Sequence, residues 1–307
     1  MQRVMEVLDL LDGWVTGADV AGLLAERGLG VATTDVSGED GSTTFLQTVI
    51  PGSNGKVSGG TAPTTGVIGR LGGVGARPGQ IGIVSDADGA VVAIATALEL
   101  ARMGERDDVL PGDVIVATHV CPNAPTQPHD PVPFMGTPVP MDEMNRHEVH
   151  ADMDAVLSVD ATKGNRIVNQ RGFAITPTVK EGWILPVAAD LVDLMEWVTG
   201  RRAVVLPLST YDITPYGNGL YHVNSILQPA VATAAPVVGV ALTAEVAVPG
   251  SATGANHPAD LAEAVRFVIE AAKGVGAGTV RLYDDDQFTR AVAAYGDMRR
   301  LAEGGNG

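Results

Sequence analysis

Val4, Leu8, Leu10 and Leu11 recur at helical intervals among charged residues and predict an amphipathic first helix. Thr16 and Asp19 form a capping box for a second helix over 19–27, which Gly28 and Gly30 stop. Residues 43–50, TTFLQTVI, read as a strand, and a glycine-dense segment with short strand potential over 66–71 follows. The clearest βαβ unit comes next, with a strand over 81–85, a helix over 89–104 and a strand over 113–119. Residues 120–142 carry seven prolines, which excludes helix or regular sheet; a loop of this length acts as a functional lid or a substrate wall. A strand over 155–159 ends at Asp160. Hairpin material over 166–180, a helix over 186–199 and a strand over 203–208 follow. After a polar loop, STYDITPYGNGLYHVNS, come a buried strand over 236–243, a helix capped by Asn256 with Pro258 in its first turn, a strand over 279–282 and a last helix. With no internal repeat and no long polar linker, this alternation predicts one α/β domain over 1–307. The Gly-rich segment 51–80 and the Pro-rich loop 120–142 are its insertions.

Composition narrows the function classes. A 307-residue chain with 45% hydrophobic residues and only 4% aromatics builds a large core from small and β-branched aliphatics. A formal net charge of −16 leaves no basic patch to neutralise phosphates, so nucleic acid is not an expected partner. The single cysteine, Cys121, rules out an internal disulfide. The N-terminus mixes acidic residues into its apolar run and reads as a structural helix, not a signal peptide. The weakly charged stretch 227–244 contains Gln228, Pro229 and Pro236 and reads as buried strand and turn, not as a membrane span. The expectation is a soluble cytoplasmic protein.

Chemistry concentrates at strand ends. Asp86, Asp88, His119 and Asp160 all end or follow short apolar strands, where side chains converge in the crevice of an open α/β sheet. Carboxylates and an imidazole there suffice for one or two divalent ions, zinc or manganese. Aspartates in such turns equally serve as helix caps. His119 and Cys121 share a strand face and could form a base and nucleophile, or two soft ligands. Cys121 also reads as a small buried residue. His129 and Asp130 lie in the Pro-rich loop, and His147 and His150 read as a solvated helix because their order, H-E-x-H, is not the H-E-x-x-H of zinc proteases. The Gly-rich segment with Lys56 lacks phosphate-loop spacing and reads as turns. Tyr211, Asp212, Asn218 and His222 form a candidate substrate wall, or else a well-tied loop.

Several of these pieces resemble the dinuclear-zinc aminopeptidases of the glutamyl- and tetrahedral-aminopeptidase group. Residues 85–100 are similar to their Asp-bearing turn and helix, AVLSVDATKGN to their strand ending in an aspartate ligand, and VPGSATGANHPADLAEAVRFVIEAA to the element whose histidine binds metal. The resemblance implies a three-layer α/β/α fold with a mixed, mostly parallel sheet and makes His257 a metal ligand beside Asp86 or Asp88, His119 and Asp160. An early His-x-Asp motif is absent. His119-Val120-Cys121 stands where that group carries a Glu-Glu pair. The whole chain more closely resembles the bacterial family labelled domain of unknown function 1177, on IGRLGGVGARP, SDADGA, ATHVCPNAPTQPHDPVPFM, ATKGN, RGFAITPTVKEG, DITPYGN, YHVNSILQPA and ATGA.

These readings lead to an expected metal-dependent hydrolase of a small amide or short peptide. His119, Glu181 or Glu245 would serve as base. Two alternatives stand beside it: a catalytically silent relative that binds a small metabolite or partner, and a metal-free hydrolase using Cys121 with His119. A homo-oligomer, a dimer, is expected.

Overall fold

The computed structural model describes residues 1–75, 82–128, 133–222, 224–248 and 250–303. The first helix, α1 (Gln2–Leu11), buries Val4, Val7 and Leu11 on one stripe. Thr16 caps α2 (Gly17–Ala25) through the expected box: its hydroxyl accepts the Asp19 N–H and the Asp19 carboxylate accepts the Thr16 N–H. β1 (Val31–Gly38) and β2 (Gly41–Ile50) form an antiparallel hairpin. Most of β1 is exposed, so no apolar alternation announces it.

The βαβ unit exists, but its first strand lies earlier than the apolar run at 81–85. β3 (Thr65–Gly69) is that strand, α3 (Asp88–Gly104) the crossover helix and β4 (Val114–Val120) the parallel partner. Residues 82–84 are irregular and lead into a 3-10 turn, Ser85–Ala87, while Ile81 lies outside the described residues. The physical reason is where the backbone donors go. The Ile83 N–H reaches Asp12 Oδ1 and the Ser85 N–H the Thr253 carbonyl, so loops satisfy the segment instead of a ladder.

Beyond β4, the Pro-rich loop forms a short ribbon, β5 (Thr126–Gln127) with β6 (Phe134–Met135), and α4 (Met141–Glu148) starts directly after Pro140. β7 (Ala155–Ala161) follows. The expected hairpin over 166–180 is instead two strands, β8 (Gly172–Ile175) and β9 (Val179–Lys180), and β9 turns into β10 (Trp183–Ile184). After α5 (Ala189–Thr199), the expected strand over 203–208 contributes one isolated bridge, Val205 to Ile175. β11 (Val237–Thr243) and α6 (Pro258–Gly276) come next. Residues 279–282 form no strand, because the Thr279 and Val280 N–H groups turn back onto the Gly274 carbonyl. α7 (Asp285–Tyr295) is the last α-helix.

The sheet runs β1-β2-β4-β3-β7-β11-β9-β10, with β8 also on β11. Strands β4, β3, β7 and β11 are parallel to one another and the remaining pairings are antiparallel. α1, α3, α5 and α6 cover one face, packed on Val67, Val116, Leu157, Val159 and Val240. The other face carries Ile68, Ile115, Val156 and Ala241 and is covered by α4 and short 3-10 turns at Thr210–Ile213 and Gln228–Val231. The result is the α/β/α layering expected from the sequence, with unequal outer layers. Among the described residues, no helix is long and apolar enough to cross a membrane.

Candidate active site

Strand periodicity builds the site. Residues two apart share a face, so Ile68, Ile115 and Val156 on the α4 face are followed at the carboxyl ends of three adjacent strands by Arg70, His119 and Asp160. Parallel register opposes Gly69 to both Thr118 and Val159, which puts Arg70 between His119 and Asp160. The first turn of α3 lies over this row. Gly89 makes that approach possible: a Cβ there would overlap the carbonyls of Arg70 and Val159. Asp86 and Asp88 thereby reach the crevice, which Met135, Ser225 and residues 250–257 border.

Two buried ion clusters fill much of it. The Arg70 guanidinium, fully buried, donates to Asn145 Oδ1 and lies 3.0 Å from Glu148 Oε2. Glu148 Oε1 is 2.6 Å from His119 Nδ1, while the Gly72 N–H donates to His119 Nε2 at 3.0 Å. Nε2 therefore carries no proton, Nδ1–H donates to Glu148, and both ring nitrogens are taken. In the second cluster the Lys163 ammonium donates to Asp88 Oδ2 and the Ala255 carbonyl, and Asn256 Nδ2 donates to Asp88 Oδ1. Burial raises the Asp88 carboxyl despite Lys163 and Asn256.

Asp86 and Asp160 stand apart from both clusters. Asp160, 3% exposed, accepts from its neighbour's amide, Ala161 N–H, at 2.7 Å and from Ser225 Oγ at 2.9 Å. Burial pushes its pKa up to about 6, although those hydrogen bonds and the Arg70 charge oppose the rise. Asp86 is pushed well above its ordinary value by burial first and then by the charges of Asp160 and Asp88, with the Gly73 amide opposing. Among the described residues, two cations, Arg70 and Lys163, stand beside four carboxyl groups, Glu148, Asp88, Asp86 and Asp160.

The remaining sequence candidates are distributed elsewhere or differently engaged. Cys121 is buried, with its thiol pushed up to about 11 by burial, and its Sγ approaches the Ser42 carbonyl at 3.4 Å. The Cys121–His119 pairing considered from the sequence is not formed, because both imidazole nitrogens have other partners. His257 is exposed at the N-cap of α6, with its charge felt by Asp88; the expected cap, Asn256, instead turns its amide to Val84 and Asp88. Glu181 sits in the β9–β10 turn paired with Lys180 and Arg299, and Glu245 is exposed.

In the polar loop, Asp212 accepts from Ser209 N–H and Oγ, Asn218 donates to Thr214 Oγ1, and His222 contacts Thr214 and packs tilted against the Tyr216 ring. Tyr211 is half-exposed. These residues tie the loop together, and Tyr216 is the one whose phenol is raised by burial and then by the Asp160 charge. His147 stacks on Phe45, His150 meets Asp152, and Lys56 pairs with Asp154. His129 and Asp130 lie outside the described residues. A cavity of about 490 Å³ lies away from the strand ends, lined by Trp183, Leu185, Tyr283 and Phe288 among others.

Arg70, Glu148, Lys163, Ser225 and Asn256 are site residues the sequence did not single out. Arg70 had a signal, as the residue two past Ile68 on the face of a short strand. The others had none, because their partners lie tens of residues away.

The fit to a divalent ion is decided by these engagements. Among the described residues, no group of three or more His, Cys, Asp or Glu side chains is arranged to hold a metal ion. Of the expected donors, His119 has no free nitrogen and Asp88 is bound to an ammonium. The residues present do not form a metal cradle, and no step below is routed through one.

Sheet order, strand-end crevice and uneven outer layers define a three-layer α/β protein. Glutaminyl cyclase from Macrostomum lignano matches with a TM-score of 0.50 and 12% identity over 91% of this chain and 90% of that one. Caenorhabditis elegans leucine aminopeptidase (LAP1) matches with a TM-score of 0.49 and 10% identity over 87% of this chain, which spans 65% of that protein's length. At 12% identity the likeness to the cyclase is one of fold. No curated protein matches by sequence. The chain belongs to the family described as protein of unknown function (DUF1177), whose profile matches residues 34–305.

Proposed function

We propose that this protein hydrolyses a small amide or short peptide bearing a protonated amine, with Asp86 and Asp160 as its acid–base pair. One observation carries the reading: Asp86 and Asp160 are both buried at the crevice with no ammonium or guanidinium hydrogen-bonded to either among the described residues, and burial raises both carboxyls. In this reading Asp160, whose charged form is favoured by hydrogen bonds from Ala161 N–H and Ser225 Oγ, serves as the base, and Asp86, raised by burial and by the Asp160 charge, serves as the acid. Among the described residues carboxyl groups outnumber cations in the crevice, which favours a substrate ammonium.

In this reaction Asp160 takes a proton from a water molecule as the water oxygen bonds to the amide carbon. Asp86 gives its proton to the carbonyl oxygen. Collapse of the tetrahedral intermediate breaks the C–N bond. The leaving nitrogen takes the proton from Asp160, and the hydroxyl proton returns to Asp86, so both carboxyls regain their starting states. Ser225 orients Asp160 through its hydrogen bond.

The test is a screen of short peptides and small amides followed by Asp86→Asn and Asp160→Asn. Each variant is expected to lower turnover by roughly 100-fold or more. A variant that keeps the wild-type rate removes that carboxylate from the reaction. A second reading, binding of an amine-bearing metabolite or a partner without turnover, is favoured by the two closed ion clusters, Lys163–Asp88 and Arg70–Glu148–His119. Thermal stabilisation by amines without any turnover would favour it.

A further inference from the structure

We propose that Lys163 is a built-in cation occupying the place where a divalent ion would otherwise sit, so that the crevice of this chain is closed to metals by its own side chain. The residue follows Asp160 by three positions, at the carboxyl end of β7, and turns back into the crevice with 5% of its surface exposed. Its ammonium joins three segments: Asp88 from the first turn of α3, the Ala255 carbonyl from the stretch before α6, and its own strand end. Those are the segments from which the aminopeptidase resemblance draws its metal ligands.

The surroundings are those of a hard-cation site with one occupant already covalently attached. Asp88 Oδ2 and the Ala255 carbonyl oxygen both accept from the ammonium. Asn256, which holds the other Asp88 oxygen, has its own Oδ1 buried with no hydrogen-bond partner. A free divalent ion would use such oxygens, but it cannot approach them while a unit positive charge stands among them. On the other side of Asp160, the Arg70 guanidinium adds a second fixed cation to the row of strand ends. The inference goes beyond the hydrolase reading and has its own readout, ion occupancy, so loss of turnover does not decide it.

The experiment titrates Mn²⁺ and Zn²⁺ into tag-free wild type, Lys163→Arg and Lys163→Met after chelation and desalting, and reads stoichiometry by calorimetry and elemental mass spectrometry beside melting temperature. Wild type and Lys163→Arg are expected to retain no ion and to show no melting shift. Lys163→Met is expected to bind one Mn²⁺ per chain and to gain roughly 5 °C at saturating ion. One ion retained by wild type overturns the proposal, and so does a folded Lys163→Met that ignores both ions. Should Lys163→Met fail to fold alone, recovery on refolding with Mn²⁺ supports the proposal, and failure with and without the ion counts against it.

Discussion

Asp160 takes up a proton on folding anywhere between its ordinary pKa of 3.8 and its buried value of about 6. The folded state then binds more protons than the unfolded chain, so stability falls as pH rises through that window and levels off above it. Below about pH 4 both states are protonated and the penalty is absent. Asp160→Asn removes the titration, and its melting temperature relative to wild type should climb between pH 4 and 7, by the equivalent of up to about 3 kcal/mol. A difference constant with pH would mean that Asp160 is not the group that titrates. Glu148 makes the opposite kind of contribution. It sits 3.0 Å from a fully buried guanidinium, so Glu148→Gln strands the Arg70 charge and should cost about 3–5 kcal/mol in denaturant unfolding. A cost under about 1 kcal/mol would mean water reaches Arg70. Neither effect was legible in the sequence. Glu148 lies in a short helix of charged residues that reads as solvated, and its partners are 78 and 29 residues away.

Elements whose own periodicity matches their environment were the ones the sequence announced. The α1 stripe, the α2 capping box, the buried runs of β4, β7 and β11 and the long α3 and α6 all follow from local pattern. Two of the misassigned segments share one cause. In the apolar runs 82–84 and 203–208, Val84 and Leu206 are buried against residues distant in sequence outside a ladder, so the hydrophobicity of these runs does not report a strand. β1 fails in the reverse sense, because an exposed strand has no apolar face to display. The element that matters most for the site is the junction of α3 with β3. Gly89 sits against the carbonyls of Arg70 and Val159, so Gly89→Ala must push the helix start away from the strand ends. It is expected to cost about 1–3 kcal/mol by thermal unfolding and to reduce turnover with it, since Asp86 and Asp88 ride on that turn. Unchanged stability would show that the helix start has room to give.

Across the whole molecule, a formal charge of −16 surrounds a crevice that holds, among the described residues, two cations beside four carboxyl groups. Both levels favour a positively charged small ligand over an anionic one. The fold class was readable from alternating strands and helices, and the approximate location of the site from aspartates at strand ends. The balance of charge within it was not, since the ammonium and guanidinium that settle it are ordinary residues of ATKGN and IGRLGG until folding brings Asp88 and Glu148 to them. The central claim is hydrolysis by a carboxylate pair in a crevice that supplies its own cations. Its most direct test is the pH dependence of kcat/KM on a short peptide or amide substrate in the presence of excess chelator. The account predicts a rate that the chelator leaves unchanged and that rises as Asp160 loses its proton near pH 6. Activity abolished by the chelator and restored by zinc or manganese would contradict it.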